Sequence, residues 1–130
     1  MTTFVDTSAW LALLDGRDEM HRDAAETLRG LEGQSLVTHN YVLVEAAAIA
    51  HRRLGGAAAR DLLEDLVPIS TVIWVEEGTH QAAVSAFLAA VRRRPSLVDW
   101  VTFEVMRRHV IGTAFAFDRD FVNQGFQTIP

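Results

Sequence analysis

Four stretches of this chain put a carboxylate where its surroundings do not ask for one. AFAFDRDF, residues 114 to 121, is an apolar run that stops at Asp118, with Asp120 following after a single arginine, Arg119. TTFVD ends a β-branched and aromatic run at Asp6, and YVLVEAAAIA holds Glu45 inside the most apolar stretch of the chain. PSLVDW sets Asp99 three residues after Ser96. Each has an ordinary reading. Asp6 can cap a helix, Ser96 and Asp99 match a capping box, Asp118 and Asp120 can form a turn, and a buried Glu45 can pair with an arginine. Their joint placement is what points to chemistry. Four or five carboxylates in one pocket cannot all stay ionised unless a cation neutralises them. Oxygen donors without cysteine favour hard ions, Mg²⁺ or Mn²⁺, over zinc. The five histidines (21, 39, 51, 80 and 109) show no zinc-like spacing, and His39 is a weak candidate ligand. Acid-bound divalent metals serve phosphoryl chemistry: they align an attacking water and stabilise the leaving oxygen. The other acids, such as Glu19, Asp23, Glu26, Asp61, Glu64 and Asp65, sit among polar neighbours and read as solvated helix faces.

The elements that must position these acids follow from the periodicity. Strands are predicted at TTFV, at SLVT (35 to 38), at STVIWV (70 to 75) and at TAFAF (113 to 117), with FQTI (126 to 129) as a short edge strand. Helices are predicted at TSAWLALLDG with a Thr or Ser cap, at 20 to 32, at 40 to 53 up to Gly55-Gly56, and at 58 to 67 up to Pro68. Two more run from 79 to 93, closed by Arg92, Arg93, Arg94 and Pro95, and from 96 to 109 with Ser96 as cap. Alternating strands and helices imply a three-layer α/β/α sandwich around a parallel sheet of four to five strands, in one domain over 1–130. In such sheets ligands bind beyond the carboxyl ends of the strands, so Asp6 and Asp118 share one edge.

Composition narrows the classes. The chain has 130 residues, 49% apolar, no cysteine and a net charge of −5. It has no disulfide framework, no signal-like or membrane-spanning stretch, and too much negative charge to coat nucleic acid indiscriminately, which fits a cytoplasmic protein. All twelve basic residues are arginine. The missing lysine counts against a receiver-like signalling module, and DTSAW lacks the paired acid of an aspartate-nucleophile phosphatase. A polyanionic substrate would need local positive charge, which Arg92 to Arg94 and Arg119 can supply; the alternative for the triplet is a cationic helix C-terminus. Trp10 and Trp100 stand beside two of the acids, where core packing competes with base stacking.

FVDTSAW, the acid of YVLVEAAA, PSLVDW and AFAFDRDFVNQGF together resemble the PIN domain family, and most of all its VapC-type toxins of bacterial type II toxin–antitoxin modules. The likeness spans nearly the whole chain. It implies a Mg²⁺-dependent endoribonuclease in which Mn²⁺ can substitute, with Asp6, Glu45, Asp99 and Asp118 as the catalytic acids. Asp6 and Asp99 would be the principal metal ligands, Glu45 would bind directly or through water or orient the attacking water, and Asp120 would be an additional acid or a substitute for Asp118. Thr7 or Ser8 would supply a hydroxyl behind the first acid. An RNA substrate, a cognate antitoxin laid across the pocket and a homodimer are the implied partners. A housekeeping PIN nuclease in RNA processing is the alternative. Many relatives carry a small hydroxyl residue two before the fourth acid, where this chain has Ala116.

Overall fold

The computed structural model covers residues 1–130. Five parallel strands form one sheet: β1 (Thr2–Val5), β2 (Ser35–His39), β3 (Thr71–Ile73), β4 (Thr113–Phe115) and β5 (Gln127–Ile129), in the order β3-β2-β1-β4-β5. Phe4 pairs with Val37 on one side and Ala114 on the other, so β1 is the central strand. Such a strand is covered on both faces, which is why it reads TTFV with no polar alternation. Seven α-helices flank the sheet: α1 (Thr7–Leu14), α2 (His21–Gly30), α3 (Asn40–Leu54), α4 (Gly56–Asp61), α5 (Glu77–Ala89), α6 (Leu97–Arg108) and the single turn α7 (Asp120–Asn123). From β1 the chain steps outward to β2 and β3, then returns to β4 on the other side of β1. Right-handed crossovers place α1 to α4 on one face and α5 to α7 on the other. The sheet's direction of travel therefore reverses between β1 and β4, and there the two layers part to leave a crevice.

The main core joins Phe4, Trp10, Val42, Ala46, Phe103, Phe115 and Phe121, all fully buried. Phe103 meets the rings of Trp100 and Phe121 edge-on, with centroids 5.5 and 5.3 Å away. A smaller cluster of Ala83, Val101 and Val105 seals α5 against α6.

Several boundaries differ from the sequence expectation, for local reasons. Asp6, rather than Thr7 or Ser8, caps α1. The segment expected as one helix from 58 to 67 is α4, a π-helical turn (Leu62–Leu66) and a 3₁₀ turn (Val67–Ile69) that contains Pro68 instead of stopping before it. Helix α5 ends at Ala89, so Arg92 to Arg94 lie beyond it in turns and do not compensate a helix dipole. The short α7 was not anticipated, because DRDFVN is too brief to show a period.

Helix α6 ends in a Schellman motif: the Ile111 N–H donates to the Met106 carbonyl at 2.8 Å and the Val110 N–H to that of Arg107 at 3.3 Å. Val110 occupies the left-handed position of this motif at φ 54°, with 91% of its surface exposed. A β-branched side chain is strained there, and this one buries nothing in return. Val110→Gly is expected to stabilise the protein by about 1 kcal/mol, seen as a higher denaturation midpoint at unchanged m-value. A lower midpoint would show that the valine makes a contact this structure does not contain.

Candidate metal centre

Asp6 lies one residue past β1 and is 4% exposed. Its Oδ2 accepts the Ser8 N–H at 3.2 Å and the Ser8 hydroxyl at 2.7 Å. Ser8 Oγ in turn accepts the Phe117 N–H at 3.1 Å. The serine thus ties the end of β1 to the segment after β4, across the crevice. Thr7 does not do this: its hydroxyl is buried and makes no hydrogen bond. Of the two hydroxyls expected behind the first acid, Ser8 is the one in place. Ala116 is buried, so the hydroxyl absent from that position is absent from a packed wall.

Asp99 stands in the first turn of α6. Its Oδ2 accepts the Ser96 N–H at 2.9 Å while Ser96 Oγ accepts the Asp99 N–H at 3.2 Å, a complete capping box. Capping and the site are compatible, since a first-turn carboxylate faces the end of the helix that opens on the crevice. Asp99, Asp118 and Asp120 each offer an oxygen within 4.8 Å of the others. Asp120 is the more buried of the last two, at 6% exposure, while Asp118 Oδ1 accepts the Asp120 N–H at 2.9 Å and lies 3.8 Å from Arg94. The turn reading of this pair is therefore correct as far as it goes, and both acids also belong to the cluster.

Electrostatics link the remaining acids to these three. Burial pushes the Asp6 carboxyl up to about 7, opposed by the Ser8 hydrogen bonds and reinforced by the charge of Asp99. Burial also raises Asp99, with the charges of Asp118 and Glu45 adding to it. Asp120 is raised by burial and then by Asp118, against the pull of Arg94. Glu45 is half-buried on α3 beside the exposed Val44 and Ala48, so the apolar stretch around it is partly a surface. It reaches the cluster through its field on Asp99 and lies outside the tight triad. A pocket whose carboxyls resist ionisation has room for positive charge, and an all-carboxylate donor set suits a hard divalent cation.

Two clefts adjoin the acids. One of about 450 Å³ is lined by Ser8, Arg94, Phe117, Asp118 and Arg119. The other, about 350 Å³, is lined by Arg92, Arg93, Arg94, Trp100, Asp120 and Gln124, among others. Arg94 borders both. Trp10 is fully buried and takes no part, its indole N–H directed to Thr38 Oγ1 at 3.4 Å. Gln124, at the edge of the second cleft, is held by Arg107 through two hydrogen bonds of 3.2 and 2.8 Å. No sequence signal marks it.

A parallel sheet with carboxylates gathered at its switch point defines a class of acid-site α/β proteins, and the chain belongs to the PIN domain family, whose model matches residues 3–127. Among curated proteins it is 38% identical over 126 residues to the 23S rRNA-specific endonuclease VapC20 of Mycobacterium tuberculosis, covering 95% of this chain and 94% of that one. The crystal structure of M. tuberculosis VapC20, a Sarcin-Ricin loop cleaving toxin, superposes with a TM-score of 0.87 at 33% identity, over 97% of this chain and 96% of that one. FitAcB from Neisseria gonorrhoeae shares the fold alone, with a TM-score of 0.75 at 12% identity over 100% and 97% of the two chains. No helix is long and apolar enough to cross a membrane.

Proposed function

We propose that this chain is a metal-dependent endoribonuclease toxin of a type II toxin–antitoxin module, acting in the cytoplasm with residues 1–130 as one PIN-like unit. The observation that carries the reading is the carboxylate cluster of Asp99, Asp118 and Asp120, with Asp6 coupled to it at the switch point. The similarity to VapC20 over almost the full length of both chains supports ribosomal RNA as the first substrate to try.

Asp6, Asp99, Asp118 and Asp120 would hold Mg²⁺ or Mn²⁺, with Glu45 at the margin. When bound, such a cation supplies Lewis acidity toward a phosphodiester and neutralises the cluster. Glu45 would then orient the attacking water and accept its proton, since it stands apart from the three clustered acids. Ser8 holds the Asp6 carboxylate at a fixed angle. Arg92 to Arg94 and Arg119, all exposed, would take the phosphates on either side of the cut. The same cleft would be covered by a cognate antitoxin segment, and the active unit would be a homodimer.

The test is cleavage of a total-RNA pool by purified protein with Mg²⁺, with Mn²⁺ and with EDTA. Discrete fragments with metal and none with EDTA are expected, and changing Arg92, Arg93 and Arg94 to alanine should flatten the salt dependence of RNA binding. A folded protein that binds Mn²⁺ and cuts nothing would overturn the nuclease reading.

A further inference from the structure

His39 is fully buried, yet the site above makes no use of it. It is the last residue of β2 and the N-cap of α3, and its Nδ1 accepts the Val42 N–H at 3.2 Å. Its Nε2 lies 2.7 Å from Thr102 Oγ1 on α6, and that hydroxyl lies 3.1 Å from the Val98 carbonyl. Each proton in this chain has one place. An amide N–H can only donate, so Nδ1 carries the lone pair. The neutral ring must then carry its hydrogen on Nε2 and give it to Thr102, whose own hydrogen goes to Val98. Burial holds the imidazole neutral, far below its ordinary range at about 3. The ring is also packed, 5.4 Å from Phe4 and 6.0 Å from Tyr41 between centroids.

The two bonded partners are placed with respect to the acids. Val42 precedes Glu45 by three residues on α3, and Thr102 follows Asp99 by three on α6. One helical turn therefore separates each bonded group from a carboxylate. The helices belong to opposite layers of the sandwich. Tyr41 to His80 (2.7 Å) and Val75 to Asn40 (2.7 Å) tie the start of α3 to α5 and to the segment that follows β3. His39–Thr102 is the side-chain hydrogen bond that joins the N-cap of α3 to α6. An apolar residue could fill this space, but a group with an acceptor on one edge and a donor on the other adds a directional constraint between the two helices. Fully satisfied polar contacts of this kind select one arrangement among several that would pack equally well.

We propose that His39 and Thr102 are positioning residues of the acid site, the imidazole acting as a strut that sets Glu45 on α3 against Asp99 on α6. The proposal rests on the nuclease reading for its effect on activity, but the strut itself can be measured without it. Thr102→Val keeps the shape and removes both hydrogen bonds, and Thr102→Ser keeps the hydroxyl. His39→Asn keeps an acceptor for the Val42 N–H and loses the reach to Thr102.

The experiment compares these variants with the wild-type protein by three readouts. Because the chain has no cysteine, spin labels at Ala48→Cys on α3 and His109→Cys after α6 report the distance between the helices. Mn²⁺ titration without RNA reports the site, and saturating cleavage against KM reports the reaction. Thr102→Val and His39→Asn should stay folded, broaden or shift the label distance, weaken Mn²⁺ by about tenfold and lower the saturated rate more than they change KM. Thr102→Ser should behave as wild type. An unchanged label distance and Mn²⁺ affinity in Thr102→Val, with only a lower melting temperature, would overturn the strut and leave a core hydrogen bond. If the wild type neither binds Mn²⁺ nor cuts RNA while Thr102→Val still moves the labels, the nuclease reading falls and the strut stands. Should Thr102→Val fail to fold, His39→Asn carries the same comparison.

Discussion

Asp99→Asn should reduce RNA cleavage by about a thousandfold or more while the protein stays folded. Asparagine is the informative substitution because it separates the two roles of this residue. Its amide oxygen can still accept the Ser96 N–H that Asp99 now accepts at 2.9 Å, so the capping box survives in outline. What disappears is one negative charge from a group of oxygens within 4.8 Å. Asp6→Asn should behave in the same way, since asparagine is a good N-cap and can keep the bond from Ser8 N at 3.2 Å. Both variants should lose most of their Mn²⁺ affinity in calorimetry and melt no lower than the wild type in EDTA. If Asp99→Asn instead unfolds the protein, and its folded fraction still cuts RNA, then Asp99 is a cap and nothing more.

The second large effect is on stability as a function of pH. The folded protein holds the Asp6 carboxyl at about 7, against 3.8 for the free side chain. The sign follows from linkage: the folded state binds the proton more tightly than the unfolded chain does. This contribution is fully present below pH 3.8, declines between pH 3.8 and about 7, and is gone above. A rise of this size corresponds to at most about 4 kcal/mol, and Asp99 and Asp120, also raised, act in the same direction. In EDTA, denaturant melts should therefore show stability falling as pH rises from about 5 to about 7, where many proteins are level. Mn²⁺ should restore it at the upper end, because a cation binds only the folded, ionised cluster. Asp6→Asn should flatten the curve. Equal stability across this range in EDTA would mean that the carboxylates are better solvated, or farther apart, than this structure shows.

Much of the site was legible in the sequence because of contrast. A carboxylate at the end of TTFV, or inside YVLVEAAA, stands out against apolar neighbours, and strand alternation with helices dictates that Asp6 and Asp118 leave the sheet on one edge. The capping box of Ser96 and Asp99 was equally readable, since it is a local pattern with a fixed spacing. Glu45 was read as at least partly buried, and it is half-buried. Helix α3 presents Val44, 69% exposed, to solvent, and a run of alanines does not say which of its faces is covered.

What the chain alone determined is the candidate acids and their order, the parallel α/β architecture and the lack of lysine and cysteine. These follow from residue type and short-range spacing. Tertiary structure decided the rest. It brought Asp118 and Asp120 together with Asp99, selected Ser8 over Thr7 as the hydroxyl on Asp6, turned Arg92 to Arg94 from a helix end into the rim of two clefts, and put His39 between α3 and α6. Most of these depend on which groups the two layers of helices bring together and not on spacing along the chain, and residues 63 positions apart, as His39 and Thr102 are, carry no mark of that in their sequence.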